Sequence, residues 1–173
     1  MADLTERHIK EQDIDWYCLV NGSPTHIASM GGMIPKSFCD REKLRMLQDA
    51  VAQIEPFTDV KLNLENIQNQ IEKGYEYLQD DMIRLAIEEV NRKNPGFMYL
   101  DGQELAVRLF ASTFVEKARR GFRSFARQER VDGNEYVLIA EPIIPVEYKA
   151  GILKFVELEC EVRDEGTRIV FRA

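Results

Sequence analysis

Two residues in the first forty positions are suited to nucleophilic chemistry, Cys39 and His26. Cys39 stands just ahead of Leu44, Leu47, Val51 and Ile54, whose spacing predicts a helix over 40–54. A helix N-terminus stabilises a thiolate, and an imidazole on the preceding strand would supply the base. Acyl or thiol transfer is the chemistry that such a pair serves. No flanking pattern accompanies it, so the plainer reading is a small apolar cysteine and a histidine at a sheet edge. The sequence leans away from an enzyme.

A second candidate is a small-ligand or anion site at Thr25, His26, Ser29, Gly31 and Gly32. Adjacent glycines let backbone amides approach a ligand and can form an anion nest. The stretch is neither G-x-G-x-x-G nor a P-loop, and a flexible exit from a hairpin explains it as well. A third is a polyanion site on Arg120, Arg123, Arg127 and Arg130, flanked by Lys117 and Arg119. Segment 116–130 holds six basic and two acidic residues, and at helical spacing the four arginines share one arc. Pairing with acidic residues of the preceding helix is the alternative. Glu157, Glu159 and Glu161 alternate along a strand and read as a solvated face, not a metal site. Asp80 and Asp81 are adjacent on a helix and point about 100° apart, which is no dyad. Two histidines and three scattered cysteines without a CxxC give neither zinc site nor disulfide framework. No metal or other cofactor is expected.

These residues must be positioned by an α+β fold. Asn21-Gly22 between β-prone flanks predicts a hairpin near 14–20 and 23–29 with a two-residue type I′ turn. That turn sets Val20 against Ser23, Cys18 against Thr25, Tyr17 against His26 and Trp16 against Ile27. Pro24 places its strand at an edge or lengthens the loop. Ser37 with Asp40 resembles a capping box for the first firm helix. A second helix starts at Asn63 with the stripe Ile67, Ile71, Tyr75, Leu78, Met82, Leu85 and Val90, continuous or kinked near Asp80. A third opens at Asp101, with Glu104 in a capping-box position, and runs to about Glu129 with Val107, Phe110, Ala111, Phe114, Ala118, Phe122 and Phe125 on one side. From residue 134 the period becomes two. Strands are expected at 135–140, 154–162 and 168–172. A loop at 163–166 sets Cys160 opposite Ile169, Leu158 opposite Phe171, Glu161 opposite Arg168 and Glu157 opposite Arg172. The expected architecture is an antiparallel sheet, an N-terminal hairpin plus a C-terminal three-strand meander, with three or four helices on one face.

The chain of 173 residues fits a single domain over 1–173: a polar lead-in at 1–13, hairpin and exit loop at 14–36, a helical segment at 37–130 and strands at 134–173. The net charge of −7 opposes general attraction to nucleic acid or anionic lipid. No apolar segment is long enough to span a bilayer, and the polar first residues do not resemble a secretory signal. These features favour a cytoplasmic accessory or interaction protein. Helices approaching 40 Å would overhang a domain of this size, so a protein partner or a dimer is expected.

Overall fold

A computed structural model gives the fold and describes residues 3–32, 34–74, 102–128, 134–144 and 160–172. After a short helix α1 (Glu6–Glu11), strands β1 (Asp15–Val20) and β2 (Ser23–Ala28) form the expected hairpin, with every pair in the expected register. Asn21 and Gly22 turn with φ of 50° and 77°, the double positive φ of a type I′ turn. β2 is an inner strand of the sheet, but at Pro24 it is still an edge, as expected: pairing with β4 begins one residue later, at Thr25, so the missing amide interrupts no ladder on that side.

Helix α2 (Arg41–Ala52) is capped by Asp40, whose carboxylate accepts the Glu42 and Lys43 amides at 3.0 and 3.2 Å. Ser37 is not the cap, because Lys36–Phe38 forms a separate 3-10 turn. Strand β3 (Val60–Leu62) was not foreseen. Asn63 then caps α3 (Leu64–Gly74) as expected, accepting the Asn66 amide at 3.0 Å. Helix α4 (Gly102–Arg119) buries Val107, Phe110, Ala111, Phe114 and Ala118 on one side. The remaining strands are β4 (Arg123–Arg127), β5 (Glu135–Pro142), β6 (Glu161–Asp164) and β7 (Arg168–Arg172). The stripe from Tyr75 to Val90, the Asp80 question, the Asp101 cap, Leu158, Glu157 and Glu159 lie outside the described residues.

The sheet runs β1-β2-β4-β5-β7-β6, with β3 on the C-terminal half of β5. It is mixed and not purely antiparallel, because β2 and β4 are parallel. The chain leaves β2 and returns to β4 only after a long crossover containing α2, β3, α3 and α4, and a crossover of that kind favours parallel entry. The expected meander is also reordered, since β7 lies between β5 and β6. The sheet curls until Trp16 on β1 sits 5.3 Å from Phe171 on β7, ring centre to ring centre.

Helices cover both faces of this sheet, not one. Trp16, Cys18, Ile27, Phe125, Tyr136, Leu138, Ile169 and Phe171 form one core, closed by Leu44, Leu47 and Val51 of α2. Ala28, Ala126, Val137, Ile139 and Ala140 form another, closed by Ile67 of α3 and the apolar side of α4. Strand β5 is buried from Tyr136 to Ala140 because it is central and covered twice. Its outer edge is shared by β7 and β3. Asn66 bridges that junction, its side-chain amide reaching the carbonyls of Leu138 at 2.9 Å and Thr167 at 3.2 Å. One turn on, Gln70 donates to the Arg127 carbonyl at 2.6 Å.

Helix α4 ends ten residues sooner than its apolar pattern suggested. Gly121 adopts φ of 96°, its amide donates to Ala118 and the Phe122 amide donates back to Lys117, a left-handed helix stop. Phe122 and Phe125 remain buried, but beyond the helix. At 18 residues α4 spans about 27 Å, which removes its part in the overhang expected to drive dimerisation. The segment 37–130 is therefore not wholly helical.

The C-terminal hairpin is also displaced. Glu161 pairs with Arg172, Val162 with Phe171 and Asp164 with Ile169, around a three-residue loop. Both strands slide by an even number of positions, so each side chain keeps its expected face. Asp164 joins the strand because Arg123 supplies a partner for its carboxylate on the core side, and Gly166 turns at φ of 85°. Cys160 packs partly buried against the first core, and Glu161 is exposed.

Candidate functional site

The hairpin register puts His26 on the face of β2 that α4 covers, and the parallel ladder sets it beside Ser124 of β4. Its Nδ1 meets the Ser124 hydroxyl at 2.5 Å and its Nε2 meets Asp15 Oδ1 at 2.8 Å. A neutral imidazole satisfies both contacts: Nε2–H donates to Asp15 and Nδ1 accepts the serine proton. Serine, histidine and aspartate thus form one chain across three strands. The order of exposure is the reverse of a hydrolytic triad. Ser124 is fully buried, His26 is 1% exposed and the Asp15 side chain is 41% exposed. A substrate carbonyl would have to reach a serine sealed under α4, so the chain holds strands together and does not attack. Burial pushes the Asp15 carboxyl up, but the His26 hydrogen bond and the Lys117 charge outweigh that, leaving the pKa lowered. Thr25 is spent within the hairpin, its hydroxyl donating to Ser23 O at 2.9 Å.

The exit loop is equally self-contained. Ser29 Oγ accepts the Ile14 amide at 2.8 Å. The amide of Ser29 donates to Ile14 O, that of Gly31 to Gln12 O and that of Gly32 to Ser29 O. The Met30 amide donates to the Asp13 carboxylate at 2.8 Å. Met30 and Gly31 both have positive φ, and the anion that the Met30 amide meets is the chain's own Asp13. The amides of Ser29, Met30, Gly31 and Gly32 are all taken, and none of these four is left for a ligand. Burial is the largest influence on Asp13 and raises its pKa despite the Met30 bond.

Gly32 has a different purpose from the one its sequence suggests. A Cβ there would come within 2.8 Å of Arg127 Cδ and 3.1 Å of the Tyr136 hydroxyl. Its missing side chain is the space in which Arg127 lies.

Cys39 and His26 are not brought together. Cys39 packs against the α2-side core, its thiol 3.8 Å from Pro35 O. It stops short of the α2 N-terminus, which Asp40 occupies. Burial and then Asp3 push its thiol pKa up, opposed by Lys36, so it is not an activated nucleophile.

Arg120, Arg123 and Arg127 are not aligned along a helix, because α4 stops at Arg119. Arg120 folds back on Glu116, at 3.4 Å from its carboxylate. Arg123 forms a fork with Asp164 at 3.0 and 3.3 Å and also donates to Gly166 O. Internal pairing of Arg123 therefore holds, with a partner from the C-terminal hairpin instead of the preceding helix. Arg127 is half-buried, and its Nε is sealed without a hydrogen-bond partner. Arg130 lies outside the described residues.

One feature escaped sequence reasoning. Pro56, Phe57, Thr58, Asp59, Arg119, Ile143 and Ile144 line an open cavity of about 440 Å³. Phe57, Ile143 and Ile144 remain 47%, 65% and 58% exposed there. The Phe57 amide is tied to the last carbonyl of α4, and the Ile143 and Ile144 amides to Asp59 O and Thr58 Oγ1. The backbone of this shelf is fixed while its apolar side chains face outward. Proline beside an apolar residue at Pro56-Phe57 and Pro142-Ile143-Ile144 was the available signal, since neither segment belongs to a periodic run.

Among the described residues, no group of three or more His, Cys, Asp or Glu is placed to hold a metal ion, and no helix is long and apolar enough to cross a membrane. Comparison with known proteins finds no matching family model, curated protein or solved structure.

Proposed function

We propose that this chain is a non-catalytic interaction protein that docks a protein partner on the Phe57–Ile143–Ile144 shelf. The observation that carries this reading is the convergence of three large exposed apolar side chains on one cavity with a hydrogen-bonded backbone. Apolar side chains gathered in this way mark contact surfaces more often than scattered single exposures do. Arg119 at the rim has no carboxylate within 4 Å among the described residues, which favours a partner presenting an acidic group beside an apolar one. The three free cysteines fit a reducing compartment such as the cytoplasm.

A photo-crosslinking residue at Ile144, with a second at exposed Glu65 as control, tests this in cells producing the full chain. The expected result is a discrete adduct from position 144, lost in Phe57→Ser and absent from position 65. Equal adducts from both positions, or none from 144, would reject the shelf as the contact surface. Sedimentation of the purified chain tells a second copy from a different protein.

A further inference from the structure

We propose that Arg127, held between Gly32 and Tyr136, is a binding site for a small oxyanion, a carboxylate or a phosphate. The inference starts from three arginines within eight residues. Arg120 and Arg123 are comparably withdrawn, with side chains 16% and 17% exposed, and each has a carboxylate, Glu116 and Asp164. Arg127 is half-buried, its Nε has no partner, and no carboxylate lies within 4 Å of its guanidinium among the described residues. A cation withdrawn from water without an anion is costly, and folded chains normally supply one. Among the described residues none is supplied, although the net charge of the chain is −7.

Asp13, whose charge acts on the Tyr136 phenol as that of Arg127 does, is bound at Oδ1 by the Met30 amide. The position of Arg127 is built, not incidental. Gly32 is the residue that gives it room, since any Cβ would overlap Arg127 Cδ and Ser29 O, both 2.8 Å away. Gly32 itself is fixed by its N–H, which donates a hydrogen bond to Ser29 O at 2.7 Å. The Arg127 backbone is fixed from the other side by Gln70. Arg41 has a similarly sealed Nε, but no glycine is held open against it. A planar guanidinium held by its aliphatic stem presents its donors as a fork, which matches the paired oxygens of a carboxylate or phosphate. The anion-binding character suggested by Gly31-Gly32 thus passes from the loop amides to the arginine that the second glycine accommodates.

The test follows the arginine Nε–H resonances of the isotopically labelled full chain, assigned by triple resonance. Potassium phosphate and potassium acetate are titrated separately at constant ionic strength, with chloride as the balancing anion. The expected result is that the Arg127 resonance moves saturably with one of them, with a dissociation constant of about 1 mM or tighter. Whichever salt saturates identifies the anion class. Arg127→Lys, which keeps the charge and loses the fork, should weaken the constant at least about five-fold. A resonance that does not move, that drifts linearly without saturation, or that responds equally to chloride would overturn the proposal. So would an unchanged constant in Arg127→Lys. The wild-type titration is decisive by itself if a variant fails to fold.

Discussion

Replacing His26 with leucine tests the reading of Asp15–His26–Ser124 as a structural chain. Leucine fills much of the same space, so the cost comes chiefly from polar groups and not from a cavity. Asp15 is 41% exposed and can return to water, so its loss is small, about 0–1 kcal/mol. Ser124 is fully buried and would be left without its partner, at about 1–3 kcal/mol. The expected destabilisation of His26→Leu is therefore about 1–4 kcal/mol, or a fall in Tm of about 2–16 °C for a chain of this length. Ser124→Ala strands the imidazole in turn and should cost about 1–3 kcal/mol. The double variant leaves neither group stranded, so it should cost about 1–2 kcal/mol less than the two single changes added together. Urea unfolding monitored by the Trp16 fluorescence measures all three. Additivity within about 0.5 kcal/mol would refute the chain, as would a His26→Leu variant as stable as the wild type. If Asp15→Asn cost more than Ser124→Ala, the order of burial would not be what governs the chain.

Further outcomes follow from charge and backbone. Asp13 has a raised pKa in the folded state, so the folded chain holds that proton more tightly and loses stability as pH rises through the raised value. Asp13→Asn keeps an acceptor for Met30; it should be more stable than wild type at pH 7, and the gain should vanish below the ordinary value of 3.8. Asp164 behaves oppositely: the Arg123 hydrogen bond lowers its pKa, giving stability that is complete above 3.8 and lost as pH falls through the folded value. Asp164→Asn should cost about 1–3 kcal/mol at pH 7, and urea midpoints collected down to pH 2 should show the difference shrinking in acid. Gly121→Ala forces an L side chain to φ of 96° and should cost about 1–2 kcal/mol by the same assay, whereas Gly22→Asn, at a turn position open to Asn, should stay within about 1 kcal/mol.

The hairpin was legible because its signal is local: Asn-Gly specifies the turn, and the turn specifies every pair. The identity of the buried positions on α2, α3 and α4 was legible for the same reason, through helical spacing. The end of α4 was not, although Gly121 announces it. Phe122 and Phe125 continued the apolar phase by coincidence, because a strand with Phe125 inward and a helix with Phe125 inward read alike over five residues. The parallel pairing of β2 with β4 depends on a crossover of more than ninety residues and has no local trace. The C-terminal register failed for a related reason. Glu161 meets an arginine at either offset, Arg168 or Arg172, and the choice between them is made by Arg123, a residue on another strand.

The candidate groups of the hairpin and its exit loop share one outcome, and its cause is hydrogen-bond satisfaction. His26, Ser29, Thr25 and the loop amides have the composition of a site, but each is consumed by a partner that only the tertiary fold supplies. A group with its donors and acceptors filled cannot bind a ligand without giving up a bond of similar strength. Sequence shows the chemical type of a residue and cannot show whether it is already spent. Function must then be sought where the fold leaves a capacity unfilled. Among the described residues those places are the outward apolar shelf at Phe57, Ile143 and Ile144 and the unpaired guanidinium of Arg127. The first has a fixed backbone and no cover, and the second has a fixed stem and no counterion. Each therefore keeps a capacity that the described fold leaves unfilled.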